Sequence, residues 1–356
     1  MGATREAYFP AFLRVLRGEP CCFAGHSGSR SVRVVTQGVS RPIDPPAQAE
    51  TSEARPVDHR IKSREADTAP RAASQQPDGN AADNVETWSG KDRGDENFPV
   101  GSLLISRALR PHVHAFYTFA RNADDVADSV ALPADEKIAR LDTMEAVLLG
   151  QRDSGSPSAL RLRASLAATG VTARHATDLL VAFRRDATQQ RTANWDELYD
   201  YCRYSAMPVG RHVLDLHNED RATHAPSDAL CTALQVLNHL QDCADDLAML
   251  DRSYLPLDLL TRHGATIDDV RRPRQTGGLR AVFDALLDRV DALNIQAADL
   301  PRRTHSRRLR LETAVIVGLA RRLTRRLRHG DPLATRVRLT KGDAAASALA
   351  SLRHLP

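Results

Sequence analysis

From about Val85 onward, apolar residues return every three or four positions, the period of helices that bury one face. The pattern predicts helices over 103–128, 135–150, 158–168, 173–191, 195–218, 227–250, 278–298 and 306–328. Short polar or glycine-bearing breaks separate them, among them GQRDSGSPS, ATGVTA, RATHAPS and PRQTGG. No alternating β-branched run between turn signals is long enough to make a sheet. The expectation is one all-α domain over 85–350, a helical bundle around an apolar interior.

Residues 1–84 are a different text. They hold eight of the nineteen prolines, with Ser, Arg, Gln and Ala between them and no sustained period. Such a segment buries too little apolar surface to offset its ordering entropy, so it reads as a disordered extension. A basic transit peptide is the competing reading.

Composition adds little to this, and charge distribution somewhat more. The chain is 42% apolar and 4% aromatic, enough for a sizeable core, with a net charge of only +4. Between Arg302 and Arg328, however, stand ten arginines and one acid, Glu312. With the apolar run TAVIVGLA this is a basic amphipathic helix, either a solvated surface or a peripheral contact with an anionic membrane. Nucleic acid is not an expected partner, because no aromatic interleaving accompanies the charge. No stretch suits a spanning helix. Five cysteines (Cys21, Cys22, Cys202, Cys231, Cys243) show no metal spacing and read as reduced thiols of a cytoplasmic protein, with Cys202 and Cys243 as core fillers. His112, His114, His212, His217 and His239 lack a ligand context and read as surface or satisfied interior residues.

The chemistry lies on two predicted helices. In FYTFARNADDVADS, Tyr117, Arg121, Asp124 and Asp128 fall on one stripe, with Asp125 beside it. Taken alone, this is a solvated acidic face with an Arg121–Asp125 pair. In ALQVLNHLQDCADDLAML, Gln235, Asn238, Asp242 and Asp245 or Asp246 form a second stripe, opposite Leu234, Leu237, Leu240, Leu247 and Leu250. Two such helices can face each other across a bundle interior, a usual place for metal sites. Carboxylate and amide oxygens without His or Cys suit a hard cation that keeps its waters and takes substrate phosphates, which points to Mg2+.

Three segments in order, NFPVGS…LRPHVHAFYTFARNADDVAD, FRRDATQQRTANWDELYDYCRYSAMPVGR and ALQVLNHLQDCADDLAMLDRSYLP, resemble the squalene/phytoene synthase family. The likeness runs from about Glu86 to Leu333 and is nearest to the hopanoid-pathway hydroxysqualene synthase branch. It implies the all-α isoprenoid-synthase fold with a central apolar cavity. It also implies Mg2+ held by two Asp-rich motifs, a prenyl diphosphate substrate, and hopanoid-pathway enzymes as neighbours in the reaction sequence. The implied reaction turns presqualene diphosphate and water into hydroxysqualene with release of diphosphate. Head-to-head condensation of farnesyl or geranylgeranyl diphosphate is the alternative within the family. A non-catalytic helical assembly subunit is the alternative outside enzymes.

By the resemblance, Asp124, Asp125 and Asp128 with Asn238, Asp242 and Asp246 are metal ligands. Tyr117 and Arg121 line the diphosphate pocket, and Tyr201 serves the cationic steps. Substrate contacts fall on Asn97, Phe98, Asp186, Gln235 and Tyr254, while Ala206 and Val209 kink a helix and shape the tunnel. Two departures stand out. Gln241 replaces the arginine that many members carry before the second motif, which removes a bidentate diphosphate donor and favours a substrate with a single diphosphate. Asn97 replaces the serine of carotenoid-forming relatives. A Gly-rich nicotinamide fingerprint is absent, in keeping with a reaction ended by water.

Overall fold

A computed structural model of the chain describes residues 84–86 and 105–354. The expectation for the amino-terminal extension therefore lies outside the described residues except for Asn84, and Asn97 and Phe98 lie outside them altogether. The helices, numbered here in chain order, are α1 (Arg110–Ala127), α2 (Ala134–Leu148), α3 (Pro157–Thr169), α4 (Arg174–Thr188), α5 (Trp195–Ser205), α6 (Met207–Leu216), α7 (His224–Leu250), α8 (Leu257–Arg262), α9 (Gly277–Ala297), α10 (Leu300–Arg303), α11 (Arg307–His329) and α12 (Lys341–Ser351). Two short strands, β1 (Arg191–Thr192) and β2 (Ser253–Pro256), pair in parallel.

Each expected helix is present, with three informative differences. The first starts at Arg110 rather than 103, because Pro111 sits in its first turn and proline disfavours helix before it. The 195–218 helix is two helices. Ala206, at φ −125° and ψ −48°, ends α5, and Pro208 in the first turn of α6 has no N–H to continue the ladder. The third is α12, whose weak apolar period hid it. A capping box of Thr340 and Asp343 starts it instead.

Central α7 packs against α6, α9 and α11, while α1 packs against α3, α4 and α2. The core is continuous through Phe116, Phe119, Leu141, Met144, Leu179, Leu198, Leu237 and Phe283, all under 2% exposed. Each such side chain contributes about 1.5–3 kcal/mol. At the α6–α7 contact Gly210 permits close approach, since a Cβ there would meet Ser227 Oγ and stand 2.7 Å from Cys231 Sγ. Glu86 joins the first described residues to the bundle. Its Oε1 accepts from Ser158 N at 2.8 Å at the start of α3, and its Oε2 from Asn122 Nδ2 of α1 at 2.7 Å.

Glu312 is the lone acid of α11. Its side chain is buried without a hydrogen-bond partner among the described residues, and burial pushes its carboxyl up from 4.5 to about 8. Below pH 4.5 it is protonated in both folded and unfolded chains. Between 4.5 and about 8 only the unfolded chain ionises it, so its contribution to stability falls as pH rises through that window. Glu312→Gln removes this dependence. Its melting temperature relative to the parent is expected to climb between pH 5 and pH 8, as thermal denaturation at the two pH values would read.

Candidate active site

The polar stripe of α1 turns its carboxylates inward at the carboxyl end of the helix. Asp124 is 3% exposed, and Asp125 and Asp128 are half-buried. Arg121, one turn earlier, stands 2.9 Å from Asp125 Oδ1 and 3.7 Å from Asp124 Oδ2. The Arg121–Asp125 pair therefore forms, on a face that is mostly covered. Burial and the neighbouring Asp128 push the Asp124 carboxyl well above the usual carboxylate range, against the pull of Arg121. Oδ2 of Asp124 and Oδ2 of Asp128 have no hydrogen-bond partner among the described residues.

The second stripe is more deeply covered still. On α7, Gln235 and Asn238 are buried, Asp242 is half-buried and Asp246 is 1% exposed. Asp245 is exposed, so of the two candidate positions it is Asp246 that turns inward. Burial pushes its carboxyl well above the usual range, the Arg252 charge opposing, and its Oδ1 has no hydrogen-bond partner among the described residues. Gln235 Nε2 lies 3.2 Å from His239 Nε2.

A residue that spacing does not reveal joins the two stripes. Immediately after α7, Asp251 takes a left-handed conformation (φ 48°), which an Asp tolerates, and reverses the chain. Arg252 is thereby turned into the interior, 3% exposed. Its Nη1 donates to Asp128 Oδ1 at 2.8 Å and its Nη2 to the Asp186 carbonyl at 2.8 Å, while its backbone N–H reaches Asp246 O at 3.3 Å. One guanidinium thus touches the first Asp motif and the end of α4, and its charge is felt at the second motif. The β1–β2 pairing, with Ser253 N donating to Gln190 O at 2.9 Å, holds this reversal against the end of α4.

Around Arg252 stands a buried acid–phenol cluster. Tyr201 Oη donates to Asp186 Oδ2 and Tyr254 Oη to Asp186 Oδ1, each at 2.7 Å, and the two hydroxyls are 3.1 Å apart. Burial raises Asp186 and holds both tyrosines well above the usual phenol range, so both remain protonated donors. Tyr254 stacks on His239 with ring centroids 3.7 Å apart. Burial pushes His239 down to about 3, so the imidazole is neutral. His239, which spacing gives as a surface or interior residue, is interior, and its ring forms part of this wall. His212 is also interior, stacked on Phe116 at 3.8 Å. Lys137 of α2 feels the charges of Arg252, Asp128 and Asp186, and its partial burial lowers its pKa.

The second arginine that spacing missed is Arg336, in the segment after α11. Its Nη2 stands 3.5 Å from Asp242 Oδ1. Gln241, which departs from the expected arginine, donates from Nε2 to Val337 O at 2.7 Å and so pins the segment that brings Arg336 to Asp242. A guanidinium thus stands beside the second motif, delivered from a different part of the chain. Tyr117 packs half-buried against the core, Cys202 and Cys243 are buried as expected, and Ala206 and Val209 are buried at the α5–α6 break.

Among the described residues, no three His, Cys, Asp or Glu side chains stand close enough to hold a metal by themselves. The donor set fits a different arrangement: buried carboxylate oxygens with no protein donor, on two helices, with arginines at the edges. Mg2+ is bound in this way when substrate phosphates complete its shell. Carboxyls that burial pushes toward protonation need a cation to ionise together.

The family model for squalene/phytoene synthase matches residues 91–343. A hydroxysqualene synthase of Zymomonas mobilis is 46% identical over 257 residues, 72% of this chain and 86% of that protein. One of Rhodopseudomonas palustris is 46% identical over 254 residues, 71% of this chain and 87% of that protein. The crystal structure of squalene synthase HpnC from Alicyclobacillus acidocaldarius superposes with a TM-score of 0.59 at 36% identity, covering 66% of this chain and 88% of that one. With this all-α fold and an inward-turned acidic stripe on each of α1 and α7, the chain belongs to the squalene/phytoene synthase family of prenyl-diphosphate enzymes.

Proposed function

We propose that this enzyme converts presqualene diphosphate and water into hydroxysqualene and diphosphate. The observation that carries this reading is the set of buried oxygens without hydrogen-bond partners among the described residues, Asp124 Oδ2, Asp128 Oδ2 and Asp246 Oδ1, with the Arg252 guanidinium on Asp128 and its charge felt at Asp246. The names of the relatives at 46% identity support the particular reaction. On this reading Asp124, Asp125, Asp128, Asn238, Asp242 and Asp246 are the groups that would hold Mg2+. When bound, the ion supplies Lewis-acid stabilisation of the departing diphosphate.

The chain's own residues do the rest. Arg121, with Arg336 beside Asp242, offers guanidinium donors to the diphosphate oxygens as their charge grows. Tyr117 lies one turn before Arg121 and flanks the headgroup. The carbon–oxygen bond to the diphosphate breaks heterolytically and leaves a carbocation on the hydrocarbon. Tyr201, Tyr254 and the neutral His239 present ring faces to that cation, and burial keeps bulk water away. Gln235, Ala206 and Val209 border the chain of the substrate. One water then forms the new carbon–oxygen bond, and its proton leaves with the diphosphate. The substrate must come from a reaction that joins two prenyl diphosphates, and the product requires a reductive step to become a hydrocarbon.

The test is direct. Purified protein with Mg2+ is given presqualene diphosphate or farnesyl diphosphate in separate incubations. Hydroxysqualene from the first and no product from the second is the expected result. A product from farnesyl diphosphate alone would make the enzyme a head-to-head condensing synthase, and no product from either would favour an assembly subunit.

A further inference from the structure

The last helix is built inside out. On α12 the polar side chains Asp343, Ser347 and Ser351 face α11 and are 8%, 2% and 4% exposed. Arg326 Nη2 holds Asp343 Oδ2 at 2.7 Å and Arg322 Nε donates to Ser347 Oγ at 3.1 Å, which explains the inward polar face. The outward face carries the apolar residues. Leu349 is 71% exposed and Leu352, in the turn that follows, is 51% exposed, with Ala345 and Ala348 exposed on the same side. A helix exposed only to water has no reason to be arranged this way.

Beside it, where α11 meets the segment leading into α12, lies a cleft of about 630 Å³ lined by Arg322, Arg325, Arg326, Arg336, Arg338 and Asp343. Five guanidinium groups there face a single carboxylate. Arg322, Arg326 and Arg336 have carboxylate partners. Arg325 and Arg338 have none within 4.0 Å among the described residues, and no helix among those residues is long and apolar enough to cross a membrane.

We infer that α12 and this cleft dock the enzyme on an anionic phospholipid surface, with the leucines in the acyl boundary and the arginines at the phosphate headgroups. An apolar face with a flanking cationic cleft is the chemistry of an interfacial helix. A second protein fits less well, because the apolar strip is one short helix wide while the charge beside it is of one sign. The inference draws further support from the proposed reaction, whose product is a long, almost wholly apolar alcohol that must leave for an apolar phase. Because Arg336 lines the cleft and also reaches Asp242, the docked surface lies next to the second Asp motif.

The test uses the full chain with phosphatidylcholine vesicles, with and without phosphatidylglycerol. Co-sedimentation is expected only with the anionic vesicles and should weaken as salt rises. The double variant Arg325→Glu/Arg338→Glu should reduce it at least about tenfold, and Leu349→Ser/Leu352→Ser should weaken it separately. Both variants should turn over presqualene diphosphate in detergent at the parent rate, so vesicle binding and turnover are read independently. Equal binding to neutral vesicles, parent-like binding by both variants, or self-association that vanishes in the leucine variant would overturn the inference. So would binding of inorganic diphosphate to the cleft without any vesicle binding, since that would make it a site for a soluble anion.

Discussion

Asp246→Asn should all but abolish turnover while leaving the protein as stable as the parent or more so. The side chain is 1% exposed, burial drives its carboxyl well above the usual range, and its Oδ1 has no hydrogen-bond partner among the described residues. In folding terms the carboxylate is a liability, because a buried charge without adequate partners costs several kcal/mol. The amide has the same shape and no charge to desolvate. A gain of about 1 kcal/mol would raise the melting temperature by about 2–4 °C for a chain of this size. In catalysis, on the proposed reading, the same change removes an anionic ligand of the cation that would act on the leaving group. Such electrostatic stabilisation is worth several kcal/mol, so turnover should fall about a thousandfold. Thermal denaturation and single-turnover product formation read the two effects separately. Parent-like turnover with the amide in place would mean that Asp246 holds no cation. A large loss of stability would mean that the carboxylate has a structural partner instead.

Arg252 should behave in the opposite way. Removing its charge in Arg252→Met leaves Asp128 Oδ1 and the Asp186 carbonyl without their donors in a nearly dry interior. Breaking a buried pair from one side costs about 3–5 kcal/mol, which at this size is a fall of about 6–20 °C in melting temperature. Arg252→Lys keeps the charge, but an ammonium cannot span both acceptors in the planar fork that the guanidinium uses. It should fold with a smaller loss and still turn over at least about tenfold more slowly, because Asp128 is no longer held in place. Denaturation and turnover of the pair of variants decide this. If Arg252→Lys is as active as the parent, Arg252 supplies charge alone and does not set the position of Asp128.

How much of this was legible in sequence depends on what carried each feature. The helices announced themselves by period, and their errors have local causes: Pro111 delays α1 and Pro208 divides 195–218. The polar stripes of α1 and α7 were legible because all their members share a helix face. Spacing alone left Asp245 and Asp246 both open; the resemblance chose Asp246, and the fold turns it inward. Arg252 and Arg336 were not legible, since neither lies on a stripe. Arg252 reaches the interior through the left-handed reversal at Asp251, and Arg336 through a loop pinned by Gln241, whose substitution looked like a plain loss of charge. Tyr201, Tyr254 and Asp186 were singled out by resemblance, yet spacing gave no sign that they share one hydrogen-bonded cluster. The inside-out pattern of α12 was hidden for another reason, because the reading assumes that apolar faces turn inward.

The central claim is that a carbon–oxygen bond ionises at this pole and that water ends the reaction. A single turnover of presqualene diphosphate in water labelled with oxygen-18 tests it most directly. The account predicts one labelled oxygen in the hydroxysqualene and none newly fixed in the diphosphate. Label in the diphosphate with an unlabelled alcohol would place the cleavage at phosphorus and contradict it.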